Sequence, residues 1–158
     1  MKIIGVLVLG LIISTCGFIY TNKLISANTQ LEKIIKLIGI IKVKICYSNE
    51  RITDLVGELS KEYSFLFLNF KCDFESYFKK ICFENDNLNL NKNEKQVLYN
   101  FFSGLGKTDL QNQIALCDNY IKTFENILLE RKEKSKSKIK LYPSLSILLG
   151  LLVVLILI

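Results

Sequence analysis

The chain closes on Leu141–Ile158, eighteen residues without a charge, entered directly from a basic segment. A helix that is apolar all round must be covered on every side. Nothing follows this one to cover it, so it is expected to span a bilayer, with the terminal carboxylate in the far interface. Near the start, Ile3–Tyr20 is uncharged over another eighteen residues. Each stretch is about 27 Å long as a helix, against a hydrocarbon thickness of about 30 Å. The expected organisation is a transmembrane helix at 3–20, a helical middle at 21–130, a basic juxtamembrane helix at 131–140 and a second transmembrane helix at 141–158. Pro143 is expected in the first turn of that last helix, where a missing N–H does no harm. Gly10, Ser14 and Gly17 share one face of the first span, as do Ser146 and Gly150 in the second. Small residues at this spacing let helix backbones approach closely. These five are therefore candidates for packing the spans on each other or on a partner.

The net charge of +6 has one source. Residues 131–140 hold six basic side chains against Glu133, and Lys2 adds another positive charge. Residues 21–130 hold 14 basic and 14 acidic side chains. A nucleic-acid binder carries its basic residues on a domain face, interleaved with aromatics for stacking, and this chain does not. Lys and Arg near span ends favour the cytoplasmic side, so the middle is expected in the cytoplasm and both termini outside. The basic segment beside a span also suits an anionic lipid surface. The alternative is a lipoprotein. A basic start, an apolar run and Ile13-Ser-Thr-Cys16 resemble a lipidation signal. Lipid anchored through Cys16 would place the helical domain outside the cytoplasm.

The middle has helical periodicity throughout. Leu31, Ile34, Ile35, Ile38, Ile41 and Ile45 recur at three and four, predicting a helix from about 29 to 47 that Ser48-Asn49 ends. Ile52, Leu55, Val56, Leu59 and Tyr63 mark a second helix, and Ser64–Lys71 a short, nearly all-apolar third. Phe74, Tyr77, Phe78, Ile81 and Cys82 mark a further amphipathic segment. Asn85–Asn93 reads as a loop. Asn91 with Glu94 forms a capping box for a helix burying Leu98, Phe101, Phe102 and Leu105, which Gly104 and Gly106 end. Thr108 with Gln111 reads as a second box. It opens a helix with a 4-3 seam of Leu110, Ile114, Cys117, Ile121, Phe124 and Leu128. From Arg131 the apolar stripe gives way to a charged rod. The fold class is all-α: a helical bundle of about five to six helices between two transmembrane helices.

Chemistry-bearing patterns are sparse. There is no histidine and no CxxC pair among five cysteines, which removes the commonest zinc patterns and any Ser-His or Cys-His nucleophile. Cys46, Cys82 and Cys117 fall on apolar stripes and are expected as buried, reduced thiols. Gly104-Leu-Gly-Lys-Thr108 has the tail of a phosphate-binding loop. The full motif, however, requires glycine where Phe101 stands, and a strand where residues 94–105 are helical. The expectation is no catalytic, cofactor-binding or metal-binding residue, no nucleic-acid partner and no enzymatic activity.

These residues carry a resemblance. A span, a helical domain, Leu105-Gly-Lys-Thr-Asp109 followed by Gln113, and a basic helix running through Leu141-Tyr-Pro-Ser-Leu145 to Gly150 and an apolar tail resemble the stage III sporulation protein AB family along the whole chain. The chain departs from the family pattern at Ser48, at Pro143 and Ser146, and in having no Trp. The resemblance implies a scaffold in a transenvelope complex of the mother-cell membrane around the forespore. It implies a helical domain similar to the cytoplasmic domain of type II secretion platform proteins. The implied partners are other stage III sporulation membrane proteins, a secretion-type ATPase on the cytosolic face, and membrane lipid. Leu105, Gly106, Asp109 and Gln113, where the resemblance concentrates, are the candidate partner-binding residues.

Overall fold

A computed structural model describes residues 2–47, 57–59, 62, 63, 66 and 74–157. Among these the chain is all-α, with four helices and no strand: α1 (Lys2–Tyr47), α2 (Phe74–Phe83), α3 (Lys92–Gly104) and α4 (Leu110–Leu157). Most of the expected helix over 52–63, the segment Ser64–Lys71 and Cys72 lie outside the described residues. Gly57–Leu59 is helical, and Leu59, Tyr63 and Leu66 are buried.

The first difference from the sequence reading is continuity. The expected span at 3–20 and the expected helix at 29–47 are one helix of 46 residues. The intervening Thr21–Asn28 is polar enough to interrupt a hydropathy pattern, but it contains no proline or glycine to interrupt hydrogen bonding. Likewise α4 runs for 48 residues, which puts Pro143 deep in a helix interior and not in a first turn. Hydroxyls cluster around it. Ser144 Oγ donates to the Lys140 carbonyl at 3.2 Å and Ser146 Oγ to the Pro143 carbonyl at 3.0 Å.

The chain divides into two compact units. One comprises Gln30–Asn126; the other pairs Met1–Thr29 with Ile127–Ile158.

The 30–126 unit has a conventional core. Leu31, Ile34, Leu37, Ile38 and Ile41 of α1 are buried with Phe78, Ile81 and Cys82 of α2, Leu98, Phe101 and Phe102 of α3, and Cys117 and Phe124 of α4. Ile35 and Ile45, expected in the α1 stripe, are only half-buried. Aromatic packing organises the centre. Phe78 stacks on Phe102 with ring centroids 4.4 Å apart and planes 10° from parallel, and Phe101 meets the edge of Tyr120 at 5.4 Å. Each large side chain fully removed from water here contributes about 1.5–3 kcal/mol.

Local polar chemistry sets the ends of the elements. Asn91 and Glu94 form the expected reciprocal box at the start of α3: Asn91 Oδ1 accepts from the Glu94 N–H at 2.9 Å and Glu94 Oε2 from the Asn91 N–H at 2.8 Å. The asparagine-rich loop before it is tied down. Asn85 donates to the Leu66 carbonyl at 3.1 Å, and Gln30 of α1 spans the Asn87 carbonyl and the Asn89 N–H, both at 2.8 Å. Lys42 Nζ pairs with both oxygens of Asp118 at 2.7 and 2.8 Å. This pair is partly solvated and contributes little to stability.

Candidate functional site

The turn between α3 and α4 holds the four candidate partner-binding residues. Helix α3 ends at Gly104, and Leu105 caps it in an extended conformation with its N–H donating to the Phe102 carbonyl at 3.2 Å. Gly106 has φ 77°, a left-handed conformation that glycine adopts at no steric cost. Gln113, one turn into α4 and 4% exposed, reaches back from beneath. Its Nε2 donates to the Gly104 carbonyl at 3.2 Å and to Thr108 Oγ1 at 2.9 Å, so this side chain closes the C-terminus of α3. Among the described residues Gln113 Oε1 is buried without a partner.

The expected Thr108–Gln111 box gives way to a different arrangement. The helix begins at Leu110, Asp109 accepts from the Asn112 side chain, and the Thr108 hydroxyl is engaged by Gln113. Leu105 and Gln113 are buried, while Gly106, Lys107, Thr108, Asp109 and Leu110 face solvent. The Gly-Lys-Thr triplet thus sits in a helix-to-helix turn, without the preceding strand that a phosphate-binding loop requires.

The five candidate span-packing residues are brought together in the other unit, where α1 and α4 run antiparallel. Gly10 lies against Gly150 and Val154, Gly17 against Tyr142 and Ser146, and Gly150 against Gly10 and Ser14. A Cβ on Gly17 would stand 2.6 Å from the Tyr142 carbonyl oxygen, and one on Gly150 2.6 Å from that of Gly10. Real side chains do not fit at those distances, and the obstacle is backbone. Ser146 Oγ also lies 3.1 Å from the Ser14 carbonyl across the pair. Within α1, Ser14 and Thr21 hydroxyls donate to the carbonyls four residues back at 2.9 Å.

The pairing continues where the sequence shows no apolar stripe. Thr21 is buried, Tyr20 meets Tyr142 edge-on at 4.8 Å, and Asn28 donates to Ser135 at 3.4 Å. Arg131 extends to the Ala27 carbonyl at 3.5 Å. In this unit the buried residues among those described are Gly10, Gly17, Thr21, Ser135, Ser146 and Gly150. The large apolar side chains, such as Leu11, Ile19, Leu148, Leu151 and Leu155, point outward. α1 and α4 are the two described helices long and apolar enough to cross a membrane.

A family model of stage III sporulation protein AB matches residues 2–158. The chain belongs to that family. No curated protein and no solved structure matches it. Membership of the stage III sporulation protein AB family gives it a role in stage III sporulation. The residues that carry the family resemblance include the Gly106–Gln113 turn, which Gln113 ties to the Gly104 carbonyl, and Gly150, where the Gly10 backbone leaves no room for a side chain.

The thiols divide by position. Cys82 and Cys117 are buried, and burial pushes their pKa up to about 12 and about 11. Cys46, expected on the apolar stripe, is exposed in the last turn of α1, and Cys16 is exposed as well. Asp118 hydrogen-bonded to Lys42 raises the pKa of that ammonium, and Lys134 beside Glu130 lowers that of the carboxyl. Among the described residues no three His, Cys, Asp or Glu side chains group as metal ligands would.

Proposed function

We propose that the chain is a non-enzymatic scaffold anchored by two transmembrane helices in the mother-cell membrane around the forespore. Its 30–126 unit faces the cytosol, and both termini lie outside. There it docks a secretion-type ATPase and other stage III sporulation membrane proteins within a transenvelope complex. The observation that carries this reading is the separation of charge. Residues 30–126 hold thirteen basic and thirteen acidic side chains, so the entire excess of +6 belongs to the unit with the apolar exterior. Six of its basic residues sit just before Leu141, and the positive-inside tendency then orients both spans. The resemblance to type II secretion platform domains supports the choice of partners at the level of fold analogy.

The lipoprotein alternative asks for removal of everything before Cys16. That segment supplies Gly10 and Ser14 to the packed pair, which favours retention. A reporter fused after Ile158 tests the topology: activity of an exclusively extracytoplasmic reporter is expected, and activity of a cytoplasmic one would overturn it. Co-purification of the intact chain from sporulating cells tests the scaffold role, which fails if no other membrane subunit of stage III accompanies it.

A further inference from the structure

In the 1–29/127–158 unit, α4 has two regular faces. Ser146, Gly150 and Val154 lie against α1. At about 100° per residue, Leu141, Leu148 and Leu155 fall on the opposite side, seven apart. Ser144 and Leu151 stand between them, also seven apart. This is the a and d pattern of a coiled-coil heptad. Leu148, Leu151 and Leu155 are 64%, 63% and 74% exposed. A groove of about 720 Å³ runs along this side, and its lining includes Ser144, Leu148, Leu151, Leu152 and Leu155. In hydrocarbon, apolar surface alone does not drive such a seam onto another helix; close packing and polar contacts do.

The charges that precede the span identify the occupant. Carried back one heptad, the same register sets Glu133 at g and Lys138 at the e position five residues on. In a parallel pair of helices, these are the positions that form salt bridges between one copy and the other. Glu133 is the one acidic side chain in residues 131–140, and both it and Lys138 are exposed. A two-fold axis makes the contact twice, because the patch is its own complement. Glu130 at d and Lys134 at a, hydrogen-bonded within the helix, bring opposite charges to the seam itself. Copies inserted under one charge rule point the same way, so a pair of them is parallel. Leucine spacing by itself would leave lipid as the cover; the matched charges point to a second copy.

We infer that a second copy of this chain packs on the Leu141–Leu155 face of α4, parallel and seam to seam, with Glu133 of each copy paired to Lys138 of the other. The inference rests on the two-span reading above. It leaves the Gly-Ser face of α4 to α1 and gives the leucine face to self-association.

The test uses the full chain in liposomes, with Cys16 and Cys46 replaced by Ser. Leu148→Cys and Leu151→Cys each place a thiol on the seam, and Leu149→Cys places one off it. Mild oxidation is expected to link copies through positions 148 and 151, and to leave the 149 variant at the level of the background chain. Equal linking at all three positions would report random collision in lipid and overturn the inference. Affinity is read separately, by energy transfer between labelled copies as added lipid dilutes them. Glu133→Lys turns two attractive pairs into repulsive ones and should weaken the dimer about tenfold. Lys138→Glu lowers the net charge of each copy, yet should weaken the dimer by a similar factor; a tighter dimer there would show general repulsion and overturn the inference. The double variant restores the pairs with their signs exchanged and should recover the parent's affinity, and failure to recover also counts against it. In sporulating cells, a seam thiol linked to a different protein and never to a second copy would assign the face to another subunit and overturn it as well. A chain that enters the bilayer without linking at the seam sinks this interface alone. One that fails to enter sinks the two-span reading with it.

Discussion

The two units of this chain bury opposite kinds of residue. Among the described residues between Gln30 and Asn126 the interior is chiefly Leu, Ile and Phe, and the sequence of this unit balances thirteen basic against thirteen acidic side chains. In the paired ends the interior is Gly, Ser and Thr, and the exterior is Leu, Ile and Val. Water rewards the first arrangement, because removing apolar surface from it drives folding. The second is the arrangement expected where the surroundings are as apolar as leucine, so that helices gain from close backbone approach and interhelical hydrogen bonds. The same two helices contribute to both units, so what changes along each is which residues it turns inward.

The contrast can be broken most sharply in the apolar core. Phe78→Ala removes a ring stacked on Phe102 and is expected to cost about 3–5 kcal/mol. Hydrogen exchange should accelerate across residues 30–126 while 2–29 and 127–157 stay protected; acceleration in both regions would show the two interiors to be one cooperative unit. Gly17→Leu attacks the other interior. With the Tyr142 carbonyl in the way, the helices must separate, at about 1–3 kcal/mol for overpacking. Here exchange should rise in the paired ends alone. No change there would mean that the close approach contributes nothing.

Gln113→Met is expected to cost about 1–2 kcal/mol, the worth of two side-chain hydrogen bonds, read as a shift in the denaturation midpoint of the 30–126 unit. A charge reversal at exposed Asp109 should leave that midpoint nearly unchanged. If it abolishes co-purification with other subunits, the turn is a docking surface as well as a corner.

The shallowest effect is alkaline. The shifts at Cys82, Cys117, Tyr63, Tyr120 and Lys42 are all upward, so each group holds its proton more tightly folded than unfolded. Their contribution is complete below the unfolded values, which begin near 9 for the thiols, and is lost as pH rises through the folded ones. Between pH 9 and 10 the midpoint for residues 30–126 should therefore drift down gently. A rise over that interval would contradict the assignment of buried neutral thiols.

Which features are legible in the sequence follows from how local they are. Asn91 and Glu94 need only each other, three residues apart, and their box appears as read. The periodicity of Phe78, Ile81 and Cys82 likewise marks a buried face that the structure buries. In sequence Ser135 and Arg131 look like part of a charged rod, because an apolar template cannot detect packing made by hydroxyls and a guanidinium. The family resemblance points to Gln113, yet its task, closing α3 from the next helix, depends on a turn whose course is set by Gly106. Cys46 belongs to the right stripe but lies exposed in the last turn of α1. Hydropathy divides α1 at Thr21–Asn28, whereas backbone hydrogen bonding does not.

Pro143 has a consequence for depth. A proline in a helix interior cannot donate to the carbonyl four residues earlier, which here belongs to Ile139. In hydrocarbon an unmet carbonyl costs several kcal/mol; in the wet interface, water meets it for nothing. On the two-span reading Ile139 would then lie at the wet edge of the bilayer, and the residues beyond it, 140 to 157, extend about 27 Å as a helix. A span held at a set height would present whatever binds it at a set height too.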